Sequence, residues 1–325
     1  MKRLLVTGGA GFIGSHFVDL LLKSEKSVYG KIVILDLLTY SGLKSNIDSF
    51  NSDSDSRVEF IHGDIADRGA VREMIQRFEI DSIVNFAAES HVDRSISSAM
   101  PFAHTNFLGL TNLLEGFRDF CKGRFIQIST DEVYGSISQG SWSEDRPLSP
   151  NSPYSASKAG ADLMALAFAR TYNLDICITR SSNNYGPRQF PEKVIPLFVT
   201  NLIDGKKVPL YGQGLNIRDW IHVTDNCRAI KLVFEHGKSG EIYNIGGGRE
   251  LSNLELTKLI LSEFNKPIDF IERVVDRAGH DFRYSVDDQK IRNELGFSSA
   301  YSFEVGLRET ITWYKENENW WRPLK

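Results

Sequence analysis

The 325-residue chain is short of cysteine: Cys121, Cys177 and Cys227 stand far apart, with no C-x-x-C pair. That spacing argues against a disulfide framework or a cysteine zinc site and fits a reducing cytoplasm. The seven histidines form no ligand-spaced cluster, so no metal is expected. No apolar run approaches the ~20 residues that a membrane span needs. The net charge of −4 gives no electrostatic reason to expect a nucleic-acid backbone as partner. The opening MKRLLVTGGAGFIG runs straight into a folded motif, which does not read as a signal peptide. The expectation is a soluble cytoplasmic protein, long enough for two lobes.

What the chain does have is alternation. Residues 3–7, 32–36, 58–61, 82–86 and 124–129 read as buried strands, with helical patterns at about 13–24, 68–79 and 101–121 between them. Such alternation implies an α/β fold, a Rossmann-type doubly wound parallel sheet. The polar segment 49–57 reads as an exposed loop, and 153–172 as a helix buried on several sides. Beyond about residue 186 the chain is richer in Pro and Gly, with further helical patterns near 253–265 and 303–317. The expected division is 1–185 for a cofactor half carrying the chemistry and 186–325 for a smaller substrate lobe.

Gly8, Gly11 and Gly14 lie directly after the first strand and open a helix. In that context glycines allow a tight turn, close approach of a pyrophosphate and close helix–strand packing. Asp36 ends the second strand 22 residues after Gly14, where a carboxylate accepts hydrogen bonds from adenosine ribose hydroxyls and repels a 2′-phosphate. NAD is therefore expected over NADP. Asp64 and Ile65 follow the third strand at a place suited to adenine, and the small Ala87 and Ala88 follow the fourth.

The fifth strand ends in Ser129-Thr130-Asp131-Glu132, and Tyr154 and Lys158 follow in PYSASK, one helical turn apart. A phenol with an ordinary pKa of about 10 needs a neighbouring cation to act as a base at neutral pH. This order of motifs resembles the extended short-chain dehydrogenase/reductases. Within them AAESHVDRSI, STDEVYG, SPYSASK, SNNYGP, PEKVIP, PLYGQG, RDWIHV and DRAGHD resemble the dTDP-glucose 4,6-dehydratases, over nearly the whole chain.

That resemblance implies a lyase acting on a nucleotide-activated hexose. Tyr154 takes the proton of the 4-hydroxyl while carbon 4 gives hydride to NAD, and Thr130 steadies the sugar. Glu132 then removes the carbon 5 proton as Asp131 protonates the departing 6-hydroxyl, and hydride returns to carbon 6. The resemblance adds Phe12, Ile13, Leu37, Leu38, Thr39, Ser90, Thr105, Ser129 and Asn184 to the cofactor side, where Tyr154 and Lys158 also lie. On the substrate side it implies Ser90 and Thr130 at the sugar, and Asn183, Lys193, Val194, Pro209, Tyr211, Asn253 and His280 around the phosphates and base. Arg218 and Arg277 suit bidentate grip on a pyrophosphate. It also implies a homodimer built on a four-helix bundle from 101–121 and 153–172. Rival readings are the same chemistry on UDP-glucose or UDP-N-acetylglucosamine, a sugar-nucleotide 4-epimerase, and a non-catalytic NAD-binding regulator.

Overall fold

Successive side chains of a strand point to opposite faces, and the first strand is apolar on both. In β1 (Lys2–Thr7), Leu4 and Val6 enter one core and Leu5 the other. A strand buried on two sides needs helices on two sides. The computed structural model, which describes residues 1–23, 28–50, 57–276 and 279–325, supplies them. The first core is closed by α1 (Phe12–Leu22), and β2 (Tyr29–Asp36) and β3 (Val58–His62) extend the sheet. The second core is closed by α2 (Arg68–Arg77), which precedes β4 (Ser82–Asn85).

Two short helices, α3 (Val92–Ser97) and α4 (Met100–Phe102), lead into a π-helical stretch, Ala103–Gly109, and then α5 (Leu110–Phe120). The single helix expected at 101–121 is therefore locally widened at its start. β5 (Phe125–Thr130) passes into a tight 3-10 turn, Asp131–Tyr134. α6 (Pro153–Tyr172) begins with a capping box, in which Ser152 and Ser155 each satisfy the other's backbone, and with proline in the first turn. β6 (Ile176–Ser181) and β7 (Asn183–Tyr185) follow.

The remaining elements divide between two places. α7 (Val194–Ile203), β8 (Val208–Tyr211) and β9 (Ile217–His222) belong to the smaller lobe. The chain then returns: α8 (Val223–His236) packs beside α1, and β10 (Ile242–Ile245) pairs in parallel with β6. After it come β11 (Glu250–Ser252), α9 (Asn253–Glu263), β12 (Ile271–Val274), α10 (Gln289–Leu295), α11 (Phe303–Glu316) and α12 (Glu318–Trp321). A third core holds α7, α9, α11 and Trp321 together.

The large sheet runs β10-β6-β5-β4-β1-β2-β3, all parallel, with smaller sheets β11-β9-β7 and β12-β8. The α/β expectation holds, but the expected division at residue 185 does not follow the layers. α8 and β10 come from beyond it and complete the large sheet, because their apolar faces match its uncovered edge. Strand order reverses between β1 and β4, and ligands of such sheets bind outside the carboxyl ends at that point. Of the expected loop at 49–57, residues 51–56 lie outside the described residues.

Candidate active site

The turn after β1 has no room for side chains. A Cβ on Gly8, whose φ is +66°, would lie 2.6 Å from the backbone nitrogen of Ala87, and one on Gly14 would lie 2.3 Å from the carbonyl oxygen of Gly8. Only glycine lets α1 approach β1 and β4 this closely. Gly11 is the N-cap of α1 and has no side chain to cap it, and the first turn holds no acidic residue. Its first amides and its dipole therefore face outward, ready for an anion.

Asp36 sits at the end of β2, nearly buried. Its carboxylate accepts the amide of Ala10 at 2.9 Å and that of Leu38 at 2.8 Å, tying the glycine turn to the next loop. Burial raises its pKa, and these two amides pull it back. A Cβ on Gly42 would stand 2.5 Å from the carboxylate, so glycine there lets the loop fold over it.

A cleft runs from the glycine turn, lined by Phe12 and Ile13, past Asp36, Leu37, Thr39, Asp64 and Ile65. It continues over Ala87, Ala88, Ser90 and Thr105 to Ser129, Tyr154 and Lys158. An extended dinucleotide, with its diphosphate at the uncapped helix end and its ribose at Asp36, fits this shape and donor set. Two expected members lie elsewhere. Leu38, at φ 51°, commits its amide to Asp36 and does not line the cleft, and Asn184 lines the neighbouring one.

The strand-end turn brings charge together at the inner end. Thr130 donates to Asp131 Oδ1 at 3.2 Å and accepts from the Glu132 amide at 3.2 Å. Asp131 is 2% exposed, and its other oxygen has no hydrogen-bond partner. Burial first, then the charge of Glu132, pushes its pKa to about 8, against opposition from Arg218. Glu132 is less buried and reaches the second cleft. Burial, then Glu132 and Asp131, hold the Tyr154 phenol far above its ordinary value, and Thr130 works the other way. Lys158 donates to the carbonyl of Ile128 at 2.6 Å, and burial lowers its pKa to about 8.

The second cleft, of about 530 Å³, meets the first at Ser90, Gln189, Glu192 and Lys193. Its walls include Asn183, Val194, Pro209, Tyr211, Arg218, Asn253 and His280. Lys193 donates to the Ser90 carbonyl at 3.0 Å, and Asn183 keeps a buried Oδ1 without a partner. The Arg218 guanidinium is held against the carbonyls of Ile217 and Asp281 and over the Tyr284 ring. His280 contacts Asp276 at 2.7 Å. Arg277 lies outside the described residues.

Residues 5–310 match the GDP-mannose 4,6 dehydratase family. The dTDP-glucose 4,6-dehydratase of Streptomyces niveus is 53% identical over 326 residues, covering 99% of this chain and 96% of that one. The chain belongs to the dTDP-glucose 4,6-dehydratase family. A crystal structure of the member from Streptomyces venezuelae, with NAD and a second ligand, TYD, bound, superposes with a TM-score of 0.95. The two are 53% identical, and each chain is covered completely. More distant is the UDP-glucose 4-epimerase of Thermotoga maritima, 30% identical with a TM-score of 0.89, covering 98% of this chain and all of that one.

Sequence reasoning missed part of both walls that this family member builds. Ser41, Gly42, Gln189, Phe190 and Glu192 line the first cleft, and His91, Asp93, Phe198 and Trp220 the second. His91 and Asp93 stand inside the AAESHVDRSI string, so a signal was present without a role attached. Among the described residues no cluster of His, Cys, Asp or Glu is arranged to hold a metal, and no helix is long and apolar enough to cross a membrane.

Proposed function

We propose that the protein converts dTDP-glucose to dTDP-4-keto-6-deoxyglucose and water, with NAD reused within each turnover. The observation that carries this is Asp131. A carboxyl pushed to about 8 beside a second, more open carboxylate is a proton donor next to a proton acceptor, which is what loss of water requires.

The glycine turn and Asp36 hold the cofactor, and the cleft aims its reactive end at Tyr154 and Lys158. When bound, NAD supplies the acceptor, and later the donor, of hydride, and its cationic ring favours the phenolate. Tyr154 accepts the 4-hydroxyl proton, with Thr130 hydrogen-bonded to the sugar and Lys158 supplying positive charge. The 4-ketone acidifies carbon 5. Glu132 takes that proton, and Asp131, protonated at neutral pH and shielded from water, gives its own to the departing 6-hydroxyl; hydride delivered to carbon 6 and a proton restored at carbon 5 then complete the 4-keto-6-deoxy sugar. Ser90 contacts the sugar, and Arg218 and Arg277 hold the diphosphate. Asn183, Asn184, Lys193, Val194, Pro209, Tyr211, Asn253 and His280 shape the nucleotide slot.

The working unit is a homodimer. Met100, Phe107, Leu108 and Leu163 are exposed apolar residues on the helical run 100–120 and on α6, and a second copy would cover them. The three cysteines are free, two of them buried, in keeping with a reducing cytoplasm.

The test is a side-by-side assay of dTDP-glucose, UDP-glucose and UDP-N-acetylglucosamine for 4-keto-6-deoxy product. Thymine and uracil differ by one methyl, worth about 1–3 kcal/mol in an apolar pocket. We expect dTDP-glucose to lead in kcat/KM. Epimerised product without a 6-deoxy sugar would overturn the proposal.

A further inference from the structure

Behind the site lies a buried ion pair that the reaction scheme does not use. Asp162 stands one helical turn after Lys158 on α6, and Arg180 lies on β6 opposite Ser129 of β5. Both side chains are almost wholly buried, at 0% and 2% exposure. Arg180 Nε donates to Asp162 Oδ2 at 2.8 Å, and its Nη1 donates to the Tyr134 hydroxyl at 2.7 Å. Tyr134 is the last residue of the turn that begins with Asp131 and Glu132. Its hydroxyl donates in turn to Asn244 Oδ1 at 2.9 Å, and Asn244 is anchored on the carbonyls of Trp142 and Asp287.

One planar guanidinium therefore joins two pieces of backbone. The helix carries Tyr154 and Lys158, and the turn carries Asp131 and Glu132. A lysine would offer a point charge in place of this fork. Burying such a pair is rarely a net gain in stability, because desolvation cancels most of the attraction and apolar residues of similar volume serve as well.

We propose that Arg180 and Asp162 are positioning residues, a buried strut that holds the oxidation pair on α6 and the elimination pair on the Asp131–Tyr134 turn in fixed relation. Asp162 places a negative charge next to Lys158, while Arg180 and Ser129 face Asp162 from β6 and β5. Asp131 and Glu132 face Tyr154 from the turn. The inference rests on the dehydratase reading above. That reading fails on its own if the unaltered protein makes no 4-keto-6-deoxy product, a result visible before any variant is made.

Three variants, each compared with the unaltered protein for melting midpoint and NAD content per subunit, test the strut. Tyr134→Phe cuts the arm to the turn, together with the bond to Asn244, and leaves the Arg180–Asp162 pair in place. Bound cofactor should still be reduced at nearly the native rate, while product forms about 10–100-fold more slowly, the worth of a hydrogen bond to a charged group. Reduced cofactor should then accumulate. Asp162→Asn removes the charge beside Lys158, so the ammonium is lost at lower pH. The alkaline limb of the reduction step should move down by about one pH unit. Asp162→Leu combined with Arg180→Met replaces the pair by apolar residues. It should melt close to the native midpoint and retain NAD, yet be slowed both in cofactor reduction and in loss of water from the 4-ketone. A double variant with native turnover would overturn the proposal, as would an unmoved alkaline limb in Asp162→Asn together with native partition in Tyr134→Phe.

Discussion

Replacing Asp131 by Asn should make the protein more stable and less active at once. The native carboxyl has an ordinary value of 3.8 and is pushed to about 8 in the fold, chiefly by burial. Between those limits the folded state binds a proton that the unfolded state has released. Stability conferred at this position is therefore full below about 4 and is lost progressively as pH rises to about 8. Each pH unit in that window is worth about 1.4 kcal/mol, so the native protein forgoes roughly 4 kcal/mol at pH 7. We expect the Asn variant to be more stable at pH 7 by at least about 1 kcal/mol. Asparagine mimics the neutral form and escapes the penalty. Denaturant unfolding of both proteins, freed of cofactor, at pH 5, 6, 7 and 8 checks this, with the advantage of Asn widening at each step. The same variant should lose water from the 4-ketone about 10²–10⁴-fold more slowly, while solvent deuterium still enters at carbon 5. Equal stability of the two proteins at every pH would refute the reasoning, because Asp131 would then be ionised in the fold like any surface carboxylate.

Three further outcomes are expected. Glu132→Gln should reduce bound cofactor with dTDP-glucose but form product about 10²–10⁴-fold more slowly, with deuterium incorporation at carbon 5 falling in step. Tyr154→Phe should give no bound NADH absorbance on mixing with substrate, and Lys158→Met should act in the same direction; near-native turnover in either would remove Tyr154 as the base. Light scattering at micromolar concentration should give a dimer mass, and Leu163→Glu, which puts a charge on the exposed apolar face of α6, should shift it toward monomer.

Local chemistry was legible in the sequence wherever it is set by spacing along one element. The glycines at 8, 11 and 14 fix a turn whose tightness shows in the contacts their missing side chains would make. Tyr154 and Lys158 share a face because a helical turn separates them, and the structure brings both to the first cleft. Relations between distant elements were not legible. α8 has an amphipathic pattern, but nothing in VTDNCRAIKLVFEH says that its apolar face covers the first sheet and not the smaller lobe. Arg180 could not be singled out from the sequence, because the carboxylate that compensates its burial is on another element. Leu38 was expected at the cofactor, and its neighbours are there, but Asp36 captures its amide and turns it aside.

The return of the chain to the large sheet has a consequence for synthesis. Ile178 of β6 waits for Ile242 of β10, 64 residues later, to cover its edge. At about 5–20 residues per second, a nascent chain holds that edge of β6 open for roughly 3–13 seconds. An open, apolar strand edge is a template for pairing with other chains. A fragment ending at residue 185 would keep the glycine turn, Tyr154 and Lys158, and still be a poor candidate for an excised nucleotide-binding module. It would leave the ribosome with its sheet permanently unfinished, and the expected fate of such a piece is aggregation or capture by chaperones.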